Sequence, residues 1–508
     1  MKTGMIFTCA ILALLCLYPA GAQAATYTVD RTDDSALATA CTEGSNDCSL
    51  RGAIIKANGD AAEDTIILPA GTYVLTRAGA FEDVADTGDL DILEDVRIEG
   101  EGACRTVIDG NGLDRVFDVG RYVSCDGGDK TAHLELSGLK VTGGAPPTSS
   151  AWGGEDHPGN CSDDGQWTAD GGGILVRRGP SSTGSSLTLE AVQVDSNLSR
   201  RDGGGIMAES YTTLSLTGST ISRNESHTDG GGISMLRYAD MTMVNCTVSG
   251  NRITGWGYGG GVHFLSSGGD VMITSSTITD NTNDGDRHGD GAGLGGRSRD
   301  IYITHTVIAG NHGRTDAPAP YNPSTDSTSD GPNDWEKATR PPETFLTDLS
   351  HDVGEVDLFS HGYNFIGIMY EDGVDFDDQA TDQFALVREY GTEDSDIATL
   401  PDPLDPMLGE LKDWGGCIET HMPLSGSPLI NSGSPDCEDS EGNPLPGSDQ
   451  RGAKRKSPCD IGSVEEGVRI IKPPIPTLST AGILAVVAAL GVFGLIRIRK
   501  SRSRKDRS

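Results

Sequence analysis

Aromatic residues make up only 5% of this 508-residue chain. Basic residues are scarce too: 39 Lys plus Arg stand against 75 Asp plus Glu, a formal net charge of −36. Such an acidic surface repels phosphates and excludes nucleic acid as a partner. The eleven cysteines contain no Cys-x-x-Cys pair, so nothing in their spacing suggests zinc. What is abundant is glycine, at 69 residues, about twice the ordinary share. That much glycine argues against a helical bundle, because glycine is costly inside helices. Hydrophobic residues at 36% are too many for a disordered chain.

The middle of the chain is a repeat. Leu187-Thr188-Leu189 leads to Val192, Val194 and Asn197. The same eleven-residue block recurs from Leu214 to Asn224, Met241 to Asn251, Val271 to Asn281 and Ile301 to Asn311. Positions 1, 3, 6 and 8 point inward and position 11 is Asn. Glycine triplets begin at Gly171, Gly203, Gly230 and Gly259, and Gly291-Ala292-Gly293 is a weaker copy. A period near 30 with short alternating strands is a solenoid signal. Each unit cannot bury its own apolar face and must stack on its neighbours. The expected fold is all-β, a right-handed parallel β-helix of the pectate-lyase-like kind. Asn at position 11 fits a left-handed bend. Stacked Asn side chains are expected to form an inner ladder. Earlier, less regular rungs run back through Leu134, Val96 and Ile66. Insertions at 144–170 and 316–343 should be long loops.

Both ends read as targeting segments. Met1-Lys2, an apolar run from Met5 to Leu17 and Ala22-Gln23-Ala24 form a secretory signal over 1–24, cleaved after Ala24. Near the other end, an uncharged stretch from Thr480 to Ile496 is followed by seven Lys or Arg. That pattern predicts one transmembrane helix over about 479–496 with a cytoplasmic basic end. An exported, membrane-tethered body over 25–470 follows, divided into 26–130 (cap and first rungs), 131–315 (regular repeats), 316–345 (loop) and 346–470 (C-terminal rungs). The tail is 471–508.

Two resemblances sharpen this. Ile475-Pro476-Thr477-Leu478-Ser479, the apolar span and the Arg cluster resemble the IPTL-CTERM sorting signal, with Ala481-Gly482 where Trp-Gly is usual. That resemblance implies processing by an exosortase-type membrane protease and transfer to the cell surface. Cys48-Ser49-Leu50-Arg51-Gly52-Ala53-Ile54 is similar to the CSLREA motif of exported bacterial β-helices, with Gly52 in place of Glu; Thr87-Gly88-Asp89-Leu90-Asp91-Ile92 is similar to the same family. Gly426 to Gly433, Asp449-Gln450-Arg451-Gly452 and Cys459 to Glu465 resemble the choice-of-anchor Q domain. These families imply a surface β-helix and no particular activity.

Nine cysteines remain after the signal, consistent with an oxidising compartment. Cys41 with Cys48 and Cys437 with Cys459 are the expected pairs, capping the first and last rungs. Cys104 with Cys125 is the third candidate. Cys161 and Cys417 have no evident partner. Cys246, at an inward position, is expected to be a free core thiol.

Chemistry is thinly signalled. β-Helical hydrolases of the polygalacturonase-like group carry Asn-x-Asp, Asp-Asp, His-Gly and Arg-x-Lys motifs in order; this chain has no Arg-x-Lys. The one candidate cluster is Asp284, Asp286, Arg287, His288 and Asp290. Asp284, Asp286 and Asp290 offer oxygens of the kind Ca²⁺ takes, and Arg287 or His288 could act on a bound acid group. Its ordinary alternative is a polar turn. Asp170, Asp202, Asp229 and Asp290 each precede a glycine-rich turn, held by Gly amides or by a shared cation. Trp256 and Tyr258 could stack on a sugar or simply anchor a loop. The sequence thus favours a non-enzymatic surface protein for adhesion, matrix contact or display; the alternative is a lyase or hydrolase of acidic polysaccharide.

Overall fold

Alternating apolar residues dictate strands with one inward face, and the inward residues come into register rung by rung. The computed structural model describes residues 23–468 apart from 80–81, 83, 122–129, 148–168, 180–181, 256, 266–267, 285–290, 297–299, 314–348, 352–355, 371–373 and 388–402. An 11-stranded parallel sheet runs the length of the solenoid. In it Leu187 faces Leu214, Leu214 faces Met241, Met241 faces Val271 and Val271 faces Ile301. All five are buried in one continuous core. Burial of each such side chain contributes about 1.5–3 kcal/mol. An 18-stranded sheet supplies the second and third faces in two columns, represented by Gln193–Asp195 and Ile206–Ala208. A small 4-stranded sheet follows the Asn bend.

The Asn ladder is present. Asn197 Nδ2 donates to Asn224 Oδ1 at 3.0 Å, Asn224 to Asn251 at 3.0 Å, Asn251 to Asn281 at 2.9 Å and Asn281 to Asn311 at 2.8 Å. Each acceptor oxygen also takes the backbone N–H of the preceding Asn. The left-handed residue is not the Asn, however. It is the residue before it: Ser196, Arg223 and Asp280 have φ of 57°, 53° and 57°. The sharp bend precedes the ladder, which leaves each Asn free to point inward.

The glycine triplet follows from the same stacking. Its first member is left-handed, as at Gly203 (φ 66°). A Cβ on the second, Gly204, would lie 2.3 Å from Gly231 O of the next rung. A Cβ on the third, Gly205, would lie 2.8 Å from Asn224 Nδ2. Bend, stacked backbone and ladder each claim one glycine.

Two features correct the expected fold class. The first is an α-helix, α1 (Leu50–Ala57), packed on the strands Asp64–Leu68 and Leu90–Ile92. Ser49 caps it, its Oγ accepting from Gly52 N–H at 2.9 Å. Arg51, 1% exposed, donates to the Ala85, Gly88 and Asp89 carbonyls and to Asp34. The Cys48–Ile54 and Thr87–Ile92 motifs are therefore two halves of one structural joint. The second correction concerns the membrane. Among the described residues no helix is long and apolar enough to cross one, so the expected transmembrane helix is not among the elements of the described fold. Eight residues of helix span about 12 Å, far short of the ~30 Å of a bilayer's hydrocarbon. The segment 479–496, the motif Ile475 to Ser479 and most of the expected signal lie outside the described residues.

Residues 403–468 form a strap over the outer face of the Gln193–Asp195 column. Gln450 bonds Thr220 and Thr247, Ser463 bonds Thr277, and His421 bonds Ser249. Leu429 and Ile461 pack on Val307, Ala309 and Phe365. Cys41–Cys48 and Cys437–Cys459 pair as expected, and Cys246 is a buried free thiol. Burial pushes the Cys246 thiol up to about 12. The third expected pair is corrected: Cys104 bonds Cys417, tying the strap to an early rung. Cys125 and Cys161 lie outside the described residues, as do most of the two insertions.

The strap carries a pH dependence. Ser434 N–H donates to His305 Nε2 at 3.3 Å, and the imidazole packs at 4.8 Å from the Tyr363 ring. Burial, then the nearby Arg455 charge, lowers the His305 pKa to about 3, opposed by the Glu438 backbone and then by Asp439. Unfolded His titrates near ~6.5. Between those values the unfolded chain binds the proton and the folded one does not, so stability falls as pH drops. The loss is about 1.4 kcal/mol per unit, or about 2 kcal/mol by pH ~5. Burial shifts His421 the same way. His305→Asn keeps an acceptor and tolerates the left-handed backbone (φ 49°). Urea titrations of this variant between neutral pH and pH ~5 should show a shallower acid loss than wild type; an unchanged slope would place the dependence elsewhere.

Candidate functional site

The outer face of the long sheet changes character along the solenoid. Register stacks Thr188, Ser215, Thr242, Met272, Tyr302 and Phe359 in one outward column. Its early members are polar, while its last three are apolar or aromatic. Tyr302 and Phe359 stack with centroids 5.0 Å apart and planes 18° from parallel, and His361 lies 5.9 Å from Tyr302. Met272 remains 45% exposed. Tyr302 and Phe359 are half-buried, each keeping part of its ring at the surface.

Beside it runs a column of carboxylates. Asp240 and Asp270 are adjacent, with Asp270 N–H donating to Asp240 Oδ1 at 2.8 Å, and Asp300 pairs in register with Asp357 one rung on. Among the described residues no lysine or arginine pairs with Asp240, Asp270 or Asp300. The face therefore carries aromatic rings beside Asp240, Asp270 and Asp300, which no described lysine or arginine neutralises. Ring faces stack on apolar C–H surface and attract cations. The carboxylates accept hydrogen bonds and repel anions.

Of the cluster proposed from sequence, only Asp284 is described. Arg252 Nε, one rung back, donates to its Oδ2 at 2.6 Å. Asp286, Arg287, His288, Asp290 and Trp256 lie outside the described residues. Tyr258 N–H donates to Asp229 Oδ1 at 2.8 Å. That bond continues the aspartate series: Asp229 N–H donates to Asp202 Oδ1 and Asp202 N–H to Asp170 Oδ1. Backbone amides hold the carboxylates as anticipated, but they belong to the next rung's Asp or Tyr rather than to glycine. Burial and the neighbouring Asp202 push the Asp170 carboxyl well above the usual range.

A second acidic group was not anticipated. Asp89, Asp91 and Asp118 are buried, and each offers an oxygen within 4.8 Å of the others. Asp91 and Asp118 face each other on adjacent strands, which no local motif announces. Oxygen ligands of this type suit Ca²⁺. Arg115 already bonds Asp89 at 3.1 Å and Asp118 at 2.8 Å, and Arg177 bonds both oxygens of Asp118. Guanidinium groups thus stand where a cation would sit. Burial first, then like-charge neighbours, raises Asp89 and Asp91 well above the usual carboxylate range.

Ser234, His263 and Asp229 also come together. Ser234 Oγ lies 3.3 Å from His263 Nδ1, and Asp229 Oδ2 lies 3.8 Å from the same nitrogen. A relay needs the nucleophile and the orienting acid on opposite ring nitrogens. This trio lacks that geometry.

Comparison with known proteins bears on the fold. Residues 173–315 match the family described as right handed beta helix region. That match gives the solenoid its hand and covers the regular rungs. No curated protein matches the chain. Among solved structures, the crystal structure of pectate lyase Pel9A is similar at 15% identity and a TM-score of 0.41, over 88% of this chain and 97% of that one. So distant a likeness assigns no residue here.

Proposed function

We propose that this protein is an exported β-helix scaffold that binds rather than transforms its partner, using the outer face of the long sheet. The column of exposed Met272 and half-buried Tyr302 and Phe359, beside Asp240, Asp270 and Asp300, carries the reading. Disulfides that close the N-terminal cap, the strap and its tie to Cys104 support an oxidising, extracytoplasmic setting. Adhesion or matrix contact suits a long face of repeated rungs. Carboxylates along the face favour glycans without negative charge, neutral or ammonium-bearing, over polyuronates.

The test sets retention against turnover. Purified protein is passed over immobilised neutral glucan, polyglucosamine and polygalacturonate. It is then incubated with soluble polygalacturonate and calcium while unsaturated uronate product is followed. The expected result is retention on a non-anionic glycan, weakened about tenfold by Tyr302→Ala through loss of ring stacking, with no product. Product formation would overturn the scaffold reading in favour of a polysaccharide lyase. Retention unaffected by Tyr302→Ala would remove the assigned face.

A further inference from the structure

The first inward column contains one residue that does not belong in a core. Asp64 stands in register with Val96, and Val96 with Leu134. It is 0% exposed. Its Oδ1 accepts a hydrogen bond from Ala25 N–H at 2.7 Å, and its Oδ2 is buried without a hydrogen-bond partner. Among the described residues no lysine, arginine or histidine forms an ion pair with it. Among the described residues the groups that meet it are neutral, the Ala25 amide and the nearby Tyr27 hydroxyl, and a buried carboxylate that has lost water and gained no counter-charge is costly.

The residue that bonds it adjoins the expected export cleavage site. Gln23 and Ala24 are exposed, whereas Ala25 is half-buried. The first strand, Thr26–Thr28, begins one residue later and pairs with Thr65–Ile67. The chain thus passes from solvent to a fixed rung at the Ala24–Ala25 bond, and the nitrogen of that bond lies on the buried carboxylate.

We infer that cleavage after Ala24 is a structural maturation step, in which the freed α-ammonium of Ala25 becomes the counter-ion of Asp64. Water adds across the Ala24–Ala25 peptide bond under a signal-peptide-cleaving protease. The carboxylate stays on the departing Ala24, and the amine left on Ala25 takes a proton. One neutral N–H becomes a charged group with three donors, enough to keep the Oδ1 bond and reach Oδ2. The uncleaved chain has the buried acid without its partner charge, so the first rung tightens only after export. This goes beyond the binding role proposed above and does not depend on it.

The test uses the full chain, exported and processed by its host. Intact mass and N-terminal sequencing should show a start at Ala25. A second chain carries Gly-Ser inserted between Ala24 and Ala25, so cleavage still occurs but the ammonium forms two residues upstream. Its thermal midpoint should fall by about 3–5 °C, the size expected for one broken buried pair in a chain this long. In an Asp64→Asn background the same insertion should change nothing. Should Asp64→Asn fail to fold, acylation of the α-amine decides instead. The paired ammonium should react at least about tenfold slower in the native protein than in urea, the effect of raising its pKa by one unit or more. A start at another residue, an insertion without effect, an equal effect in the Asp64→Asn background, or equal acylation in native and unfolded protein would each overturn the inference.

Discussion

Replacing Asn251 with alanine is expected to cost about 4 kcal/mol of stability, because it empties the middle of the ladder. Asn251 Nδ2 donates to Ile221 O and to Asn281 Oδ1, both at 2.9 Å. Its Oδ1 accepts from the N–H and the Nδ2 of Asn224, both at 3.0 Å. Alanine leaves the Asn224 N–H without an acceptor in a site closed to water, and an orphaned buried donor costs about 1–3 kcal/mol. The remaining broken bonds and the small void add to that. In a solenoid each rung contacts only its neighbours. Loss of amide protection should therefore centre on residues 224–281, detectable by hydrogen exchange alongside urea unfolding. A cost below about 1 kcal/mol would mean that water or a backbone shift replaces the ladder. Gly232→Ala should act in the same direction, since its Cβ would come 3.0 Å from Asn251 Nδ2 and 2.5 Å from Gly261 O.

The ladder and its glycines were the most legible part of the sequence, because each rung repeats the same residue at the same place. Leu187, Leu214 and Met241 announce their own stacking. The direction of the bend was less legible. Position 10 holds Ser196, Arg223, Gly250, Asp280 and Gly310, so the left-handed residue has no common chemistry while the Asn repeated beside it attracts the assignment. α1 was missed because Leu50–Ala57 is short and its burial depends on a joint with residues 85–89. The Tyr302 and Phe359 pair was missed for a related reason. Residues 316–343 separate the two rungs in sequence, and only the pairing of Asp300–Ile303 with Asp357–Ser360 aligns their rings. Asp89, Asp91 and Asp118 likewise meet through sheet register rather than spacing. The strap was illegible as such. Gln450 and Ser463 fall in stretches singled out by family resemblance, yet what they bond lies some 200 residues away in sequence.

That distance makes the Cys104–Cys417 bond the second large test. Its two cysteines are 313 residues apart. In the chain-entropy model a loop of that length stabilises the fold by about 5–6 kcal/mol. The strap needs such a tie because most of its bonds to the Gln193–Asp195 column are polar. Gln193 and Arg223 bond Glu419, Ser249 bonds His421, and Thr220 and Thr247 bond Gln450. Each hydrogen bond is worth only about 0.5–1.5 kcal/mol net of water. Among the described residues the strap's apolar cluster with the later rungs is built on Leu429 and Ile461, with Leu404 and Leu408 against it. Cutting the tie lowers the effective concentration of the Glu419 region at the early rungs. The Cys104→Ser/Cys417→Ser variant should lose about 5–6 kcal/mol by urea unfolding. Limited proteolysis should then cut first near 410–420, before the rungs open. Solvent would reach Gln193 and Thr220, whereas Val307 and Phe365 should stay covered by Leu429 and Ile461. If the strap resists protease as well as wild type, the polar bonds hold it without the disulfide, and the ion pair of Arg223 with Glu419 becomes the next residue pair to break.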